Sequence, residues 1–372
     1  MRGTRRGQVI VMFAIALVVL IVMTGLVVDG GYAWAEERHT QNGADAAARA
    51  GAIVLARRAA DAASQTELQW GEEVRNNVYA TALQNEVAVG LATYTDWTGA
   101  IMPGATVDGQ PPPSGAAGVN VAARRIFNTH LIRLAGITSW TIIQEATAIA
   151  GPTTGCPETI EGCILLPIAF PVTVLACGQG NTSVPELPTR SWPPGVELTI
   201  PLCGGNPGSV GWIDWSPPAA GTNELEQAIL QPTAYYIPLP SWHYITATGD
   251  ISAAMIEDAL NEYAGDTVLF PLFDSTCSEE PTNNQSSGCD PEFVGGNGVN
   301  QWYHISAILS FRLNYPKGAY INGSNATECA AADANECIKG SFVDLITEGS
   351  VGPPCPPEGC PQGTAFSVQL VK

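Results

Sequence analysis

The chain has 372 residues, of which 45% are hydrophobic and only 14% are charged. This composition supplies enough apolar material for a sizeable core in more than one domain, and it excludes a wholly disordered chain. The 35 acidic residues outnumber the 16 basic ones, and a net charge of −19 argues against nucleic acid as a partner, because binding a polyanion requires basic patches.

The first element is an apolar run at residues 9–28, which contains no charged residue. As a helix, this run spans about 30 Å, the thickness of the hydrocarbon core of a bilayer. Arg2, Arg5 and Arg6 precede it and Asp29 follows it, so the positive-inside rule places residues 1–8 in the cytoplasm and the chain after the run outside. The sequence therefore predicts a single-pass protein of the cell membrane, with the lipid bilayer as a partner.

A cleaved signal peptide is the alternative interpretation of this run. Ala33, Trp34 and Ala35 fit the small-x-small pattern of a cleavage site. Against cleavage, the run is longer than the apolar region of about 7–15 residues that signal peptides usually contain. We therefore favour a transmembrane helix over residues 9–28.

Two helices are predicted beyond the membrane, over residues 33–63 and 66–89. In the first, a stripe of mainly small residues recurs at spacings of mostly three and four, at positions 44, 47, 48, 51, 55, 59, 62 and 63. Such a stripe is either an ordinary packed helix face, which we favour, or a face for subunit assembly. Ser64 and Glu67 have the spacing of a capping box at the start of the second helix.

Strands follow these helices. Residues 92–100 and 119–127 predict strands on either side of a proline-rich loop at 111–115. Residues 128–135 suit a short helix, and residues 139–150, rich in Thr and Ile, predict a further strand. The region 29–151 is therefore expected to be a helical, α+β unit.

The remainder, residues 152–372, is predicted to be a β-rich extracytoplasmic domain. Its candidate strands cover residues 163–170, 196–202, 211–215, 267–273, 301–314, 342–346 and 365–371. Two helices interrupt them at 223–230 and 252–264, the second ending at Gly265 as a C-cap. The expected fold class is α+β, with an N-terminal transmembrane helix and a head stapled by disulfides.

The disulfides are expected because all ten cysteines lie in the exported part and their number is even. They are Cys156, Cys163, Cys177, Cys203, Cys277, Cys289, Cys329, Cys337, Cys355 and Cys360. No C-x-x-C spacing occurs, which argues against a zinc ribbon or thioredoxin-like chemistry. Sequential pairing is our hypothesis, since 156/163, 329/337 and 355/360 each bracket a short loop.

Sequence motifs of an enzyme are absent. The chain contains no H-E-x-x-H, G-x-S-x-G or phosphate-binding loop. Of the four histidines, His39 lies in the predicted juxtamembrane helix, and His243 and His304 lie among aromatic residues, a setting typical of hydrogen-bonded structural histidines. We predict a non-enzymatic protein without a cofactor.

One segment has the pattern of a cation site. Asp274, Thr276 and Ser278 place oxygen atoms at alternate positions after a predicted strand, which suits Mg²⁺ or Ca²⁺. The alternative, which we favour, is a strand end that enters a disulfide loop at Cys277. No metal is therefore assigned, and these three residues remain candidates.

The N-terminal residues carry a recognisable pattern. Arg5-Arg6-Gly7-Gln8 precedes the apolar run, and Val28-Asp29-Gly30-Gly31-Tyr32 follows it. The most specific part is Gln41-Asn42-Gly43-Ala44-Asp45-Ala46-Ala47-Ala48-Arg49-Ala50-Gly51-Ala52. This pattern resembles the N-terminal segment of the TadE/TadG-like family of Flp (tight-adherence) pilus-assembly proteins. Two later regions, 127–139 and 211–305, are also similar to segments of such proteins.

The resemblance implies a bacterial, membrane-anchored structural component of a Flp/Tad-type pilus or envelope assembly system, without catalysis. Its expected partners are the assembly machinery or pilin-like subunits, with self-association as a further possibility, and its exported part is expected to be pilin-like. The alternative function is an extracytoplasmic adhesin or binding module, with or without a divalent metal at Asp274. Some TadG-like proteins carry von Willebrand A-type domains with a related D-x-S-x-S motif, whose middle position is Thr276 here.

The resemblance also bears on processing. Prepilins are cut after a glycine, and their mature subunits carry Glu at the fifth position. Here the matching glycine is Gly7, and the fifth residue after it is Met12. We therefore expect the chain to stay uncut at Gly7 and to remain in the membrane as an assembly or minor component.

Overall fold

A computed structural model describes residues 6–60, 64–155, 164–171, 195–202, 211–213, 222–232, 237–245, 254–277, 281, 301–321, 327–330, 336–354, 360 and 363–371. The chain divides into two compact units. Unit 1 comprises Met1–Leu55, Gln65–Ile149 and Leu370–Lys372, and unit 2 comprises Ala56–Ser64 and Ala150–Gln369. The architecture is α+β, with a long apolar N-terminal helix and a β-rich C-terminal region, as the sequence predicts.

The N-terminal helix, α1, runs as one element of 54 residues over Arg6–Ala59. It joins the apolar run to the alanine-rich segment without a break, because no proline interrupts either part. Arg57 and Arg58 lie in its last turn, where cations interact favourably with the helix dipole.

The second helix, α2, covers Glu67–Gln84 and begins with a capping box. The box uses Thr66 and Gln69, so the predicted pair Ser64 and Glu67 is wrong. Thr66 adopts the extended conformation that an N-cap requires, and its backbone N–H donates to Oε1 of Gln69 at 2.8 Å. The hydroxyl of Thr66 in turn accepts from the backbone N–H of Gln69 at 3.3 Å.

Unit 1 contains an antiparallel sheet of β1 (Ala88–Thr95), β2 (Ile101–Thr106), β3 (Gly118–Asn128) and β4 (Ser139–Gly155). The spatial order is β4-β3-β1-β2. Strand β4 belongs to unit 1 as far as Ile149 and to unit 2 from Ala150. Between β3 and β4, a 3₁₀ helix covers Ile132–Ala135, where a short helix is predicted.

The strand predicted over residues 92–100 is partly wrong, because the chain turns between β1 and β2. The carboxylate of Asp96 accepts from the backbone N–H of Thr98 at 2.8 Å and of Ala100 at 3.0 Å. Its hydrogen bond with the Thr98 hydroxyl is the largest cause of a lowered pKa, and the backbone N–H groups lower the pKa further against the opposing effect of burial. Asp96 therefore ends β1 through a local turn.

The core of unit 1 lies between the two helices and the sheet. It contains small residues from α1 and larger ones from α2 and the strands. Its fully buried members include Ala44, Ala47, Ala48, Ala52, Trp70, Val74, Val78, Tyr94, Val119, Val121, Ala123 and Ala148.

Unit 2 contains an eight-stranded sheet whose path is β11-β12-β10-β9-β5-β7, with β6 paired to β12 and β8 paired to β10. Its strands are β5 (Ile168–Pro171), β6 (Glu197–Pro201), β7 (Gly211–Trp212), β8 (Ser241–Ile245), β9 (Thr267–Cys277), β10 (Gln301–Leu313), β11 (Ala319–Tyr320) and β12 (Cys337–Phe342). Parallel strands β13 (Ile346–Glu348) and β15 (Phe366–Val371), and β14 (Ser350–Val351) on the end of β4, complete the strands of the described residues.

Two helices, α3 (Thr222–Leu230) and α4 (Ala254–Asn261), contribute to one face of this unit. Leu225, Ile229, Ile256 and Leu260 from these helices belong to the same buried cluster as Phe270 and Phe311 of the sheet. Asn261 fixes the end of α4, because its Oδ1 accepts from the backbone N–H of Gly318 at 2.8 Å and of Ala319 at 2.9 Å. The head therefore has a core of its own.

Candidate functional site

The apolar part of α1 is exposed on all sides. From Ile10 to Val28, every side chain lies on the surface, and only Gly25 is buried. Ile10 is 71% exposed and Phe13 is 67% exposed. Among the described residues, this helix is long and apolar enough to cross a membrane. A core helix would bury at least one face, so the exposed cylinder indicates an apolar surrounding other than this chain's own core.

The first charged residue after this segment is buried, and both of its carboxylate oxygens accept hydrogen bonds. Asp29 is 1% exposed. Its Oδ1 accepts from the backbone N–H of His130 at 2.6 Å, and its Oδ2 accepts from those of Leu131 at 2.9 Å and Ile132 at 2.6 Å. These are the unpaired N–H groups at the start of the 3₁₀ helix, so Asp29 caps that helix from another part of the chain.

An ion pair lies on the same side of α1, two turns further on. Glu36 is 7% exposed, and its Oε2 lies 2.7 Å from Nε of Arg125 on β3. The Nη2 of Arg125 also lies 3.0 Å from Oε2 of Glu86. Tyr32 of α1 packs against β3 and the loop that follows it. Its ring lies 5.3 Å from that of Phe127 and 5.0 Å from that of His130, both edge-on. Polar contacts with β3 and its loop thus begin directly after the apolar run.

The small residues of α1 allow close approach of neighbouring elements. A Cβ added to Gly51 would lie 2.8 Å from Cγ2 of Val78 and 2.9 Å from Cγ2 of Val119. A Cβ on Gly43 would lie 2.8 Å from a methyl group of Val87. Both contacts are closer than side chains tolerate, so these positions require glycine. Positions 44, 47, 48, 51 and 55 of the small-residue stripe are buried within unit 1, whereas Ala59 is exposed.

Gln41 of the same motif and His39, two residues before it, also have partners inside unit 1. Nε2 of Gln41 donates to Oδ1 of Asp45 at 2.8 Å and to the carbonyl oxygen of Glu145 on β4 at 3.3 Å. Nε2 of His39 lies 2.9 Å from the carbonyl oxygen of Asn85, which follows α2. The motif therefore encodes the fit of one helix against α2 and the sheet.

The described part of the structure does not show the three candidate cation residues forming a site. Strand β9 continues through Asp274 and Thr276 to Cys277, so these two residues lie inside the strand rather than beyond its end. Their side chains and all of Ser278 lie outside the described residues. The metal site and the alternative adhesin function both stay predictions, and adhesion of the native protein measured with and without Mg²⁺ or Ca²⁺ is their test.

Four of the ten cysteines are described, and all four are in disulfides. Cys329 bonds to Cys337 across a separation of eight residues, and Cys277 and Cys360 are also disulfide-bonded. Cys156, Cys163, Cys177, Cys203, Cys289 and Cys355 lie outside the described residues. Their pairing remains a prediction.

Two histidines are built into strands of unit 2. His304 on β10 is 4% exposed, and its ring lies 5.0 Å from that of Trp242. Nε2 of His243 on β8 lies 2.9 Å from the Ser241 hydroxyl. Burial lowers the pKa of His243 to about 4, which keeps this ring neutral at physiological pH.

From the sequence, Asp29 is named only as the residue that follows the apolar run and as part of the family pattern, and no structural role is predicted for Asp29, Glu36 or Arg125. A signal for the first two exists, since Asp29, Glu36, Thr40, Gly43 and Ala47 recur at spacings of seven, four, three and four on one side of a helix. The acids at the start of that series interrupt an otherwise small and apolar face. No comparable signal marks Arg125, because its partner lies in a distant part of the chain.

Comparison with known families agrees with the motif. Residues 7–57 match the family model described as putative Flp pilus-assembly TadE/G-like. The resemblance is therefore confirmed for this segment, which holds the whole apolar run and the small-residue motif and covers about one seventh of the chain. No curated protein and no solved structure matches the chain.

Proposed function

We propose that this chain is a membrane-anchored, non-catalytic structural component of a Flp/Tad-type pilus or envelope assembly system. The observation that carries the proposal is the continuity of α1. The exposed apolar cylinder and the face on which unit 1 is built belong to one helix, inside the segment that matches the pilus-assembly family.

The contacts of Asp29 and Tyr32 favour an anchor that is retained. Cleavage after Ala35 would remove both residues from unit 1. The backbone N–H groups of His130, Leu131 and Ile132 would then lose their acceptor, and unpaired backbone groups are costly to bury. Residues 9–28 therefore act as a transmembrane helix rather than as a removable signal.

The proposed topology places residues 1–8 in the cytoplasm and the regions 29–151 and 152–372 outside, because three arginines precede the span. The first exported region is pilin-like in the sense that a membrane helix continues into a helix covered by an antiparallel sheet. The described disulfides support an oxidising compartment for unit 2.

A structural role fits the chemistry of α1. Its buried acids bind backbone N–H groups and an arginine of the same unit, so they stabilise the fold of unit 1. In this proposal, the exposed surfaces of the exported regions contact pilin-like subunits or assembly proteins.

Topology and partnership are tested separately. A reporter that is active only outside the cytoplasm, fused after Lys372, is expected to be active, and relocating Arg2, Arg5 and Arg6 to follow the span should weaken this activity. Activity of a cytoplasm-only reporter would overturn the topology. The detergent-solubilised chain should co-purify with pilus-assembly proteins of its host. A chain whose residues 1–28 are replaced by a cleavable signal peptide is the control, and equal co-purification of this control would contradict the role of the anchor.

A further inference from the structure

The loop between β3 and β4 touches α1 inside the apolar run. Leu131 packs on Gly25, where an added Cβ would lie 3.1 Å from Cβ of Leu131. One turn further along the helix, Asp29 holds the backbone N–H groups of residues 130–132. Two contacts, one apolar and one polar, therefore fix the height of this loop along α1.

If the apolar run spans a bilayer, the position of this loop along α1 sets the depth of the loop in the membrane. Gly25 lies about 5 Å before the end of that run, at a rise of 1.5 Å per residue. Leu131 is at the same level, so the loop lies within the interfacial layer of the leaflet from which α1 emerges at Asp29. A position above the headgroups would require both contacts to break.

The loop has a defined conformation that can hold side chains at this level. The backbone N–H of Thr129 donates to the carbonyl oxygen of Thr138 at 3.1 Å, and the Thr129 hydroxyl donates to that of Ile137. Gly136 ends the 3₁₀ helix with a φ of 90°, a conformation that favours glycine. These bonds close both ends of the loop.

Its side chains suit a lipid interface. Leu131 and Ile132 are partly buried, Ile137 is 44% exposed, and Arg133 is exposed between them. An apolar body with an arginine at its edge allows the apolar groups to enter the acyl boundary while the guanidinium reaches lipid phosphates. The ring of Tyr32 contacts that of His130 in the loop, and the ring of Trp140 packs on Phe127 at the end of β3 that leads into it. Such aromatic rings favour the membrane–water interface.

We propose that residues 130–137, here called the interfacial loop, insert into the headgroup region of the leaflet that α1 leaves at Asp29. The inference rests on the proposed membrane anchoring and does not depend on which side of the membrane unit 1 occupies. With a second lipid contact beside the helix, unit 1 is held in one rotational orientation over the membrane.

The test is lipid photolabelling of the full chain. The protein is reconstituted into phosphatidylethanolamine/phosphatidylglycerol vesicles that contain a phospholipid with a diazirine near the top of one acyl chain. After irradiation and trypsin digestion, label is read by mass spectrometry on peptides 7–38, 126–133 and 76–124. We expect label on the first two. Peptide 76–124 is the control, since Leu91 and Ile101 on it are each 53% exposed. Leu91 lies opposite Ala122, and Ile101 pairs with Thr95 opposite Gly118, so both are near the part of β3 that precedes its loop end.

The outcomes separate the inference from the anchoring on which it rests. Label on 7–38 without label on 126–133 overturns the insertion of the interfacial loop and leaves the membrane anchoring intact. The same pattern is expected if protein rather than lipid covers the loop. Absence of label from both peptides contradicts the anchoring, and the inference falls with it. In Ile132→Asn the label on 126–133 should drop several-fold, whereas Leu91→Asn should leave it unchanged. An unchanged label in Ile132→Asn would contradict insertion of the loop.

Discussion

Oδ2 of Asp29 lies 2.6 Å from the backbone nitrogen of Ile132, a residue 103 positions later in the chain. This bond joins the first charged residue after the apolar run to the connection between β3 and β4. Because the same carboxylate also accepts from His130 and Leu131, one side chain satisfies three backbone groups. The first turn of α1 beyond the apolar run is therefore part of the fold of unit 1.

Replacing Asp29 should loosen the loop without removing the helix. Asp29→Ala removes every acceptor, so the start of the 3₁₀ helix loses its cap. Trypsin should then cleave after Arg133 faster than in the parent chain, measured as the rate of appearance of the fragment by mass spectrometry. Asp108→Asn is the control, because the carboxylate of Asp108 bonds only to near neighbours in the chain, accepting from the N–H of Gln110 at 3.0 Å and from the Thr106 hydroxyl at 3.3 Å. Equal cleavage rates in all three chains would contradict the role of Asp29.

Glycines on α1 should respond oppositely to the same substitution. Gly51→Ala forces its new methyl group against Val78 and Val119, and overpacking of this kind costs about 1–3 kcal/mol. Gly30→Ala meets no atom within 4 Å, and the gain in helix propensity should stabilise the helix by up to about 1 kcal/mol. Thermal unfolding in detergent should therefore give a lower midpoint for the first variant and an equal or higher one for the second. Equal shifts in the two midpoints would contradict the close packing at Gly51.

The helices could be predicted well from the sequence because their signals are local. The apolar run and the alanine-rich stripe each depend on neighbours within two turns. The preference for a packed face over an assembly face also agrees with the structure, since Gly51 contacts Val78 and Val119 of its own unit. What the sequence could not provide were the distant partners of this face.

The strands were predicted less well because side chains and pairing override local propensity. Asp96 turns the chain inside the predicted strand 92–100, and the edge strand β2 contains Pro103 and Gly104, two residues that weaken strand signals. Among the polar contacts that follow the apolar run, neither Asp29 nor Arg125 has its partner within the same element. The spacing along α1 marks Asp29 as a member of a helix face, but no sequence pattern identifies a partner more than a hundred residues away, because that contact depends on the tertiary fold.

The ion pair between the buried Glu36 and the half-buried Arg125 should be sensitive to loss of one partner. Arg125→Met leaves the carboxylate of Glu36 buried without its nearest cation, at a cost of about 3 kcal/mol in unfolding free energy. The double variant Glu36→Gln/Arg125→Met should recover part of that loss, because no buried unpaired charge remains and the carboxylate of Glu86 is exposed to solvent. Arg124→Met, at the neighbouring exposed position, is the control and should change stability little. Additive losses in the double variant would argue against the pair.

The stability of unit 2 should depend on pH through His243. Its folded pKa of about 4 lies below the usual value of 6.5, so the unfolded chain binds a proton more readily. The stabilisation is present above pH 6.5 and is lost as the pH falls from 6.5 toward 4, by about 3 kcal/mol in total. His243→Gln should flatten this slope in unfolding measurements on the oxidised protein. Comparison at pH 7.5 separates lost contacts from titration, and an unchanged slope would contradict the assignment to His243.

Met12 is the fifth residue after Gly7, the position at which prepilins carry a Glu in the mature subunit. The resemblance implies that, in a filament, this Glu would meet the N-terminal amine of a neighbour. Met12 is uncharged and 68% exposed on the apolar surface of α1, so an ammonium at Gln8 of a neighbouring subunit would be buried without a partner, at a cost of several kcal/mol.

We therefore expect the chain to stay uncut at Gly7 and to remain with the membrane. N-terminal mass spectrometry of membranes and of sheared filaments measures this directly. Met12→Glu supplies the missing carboxylate, and if that group limits assembly, this variant should enter the sheared fraction more than Met12→Leu, which keeps the position apolar. A mature N-terminus at Gln8 that is abundant in sheared filaments of the parent chain would show the opposite, namely that the protein polymerises as a pilin.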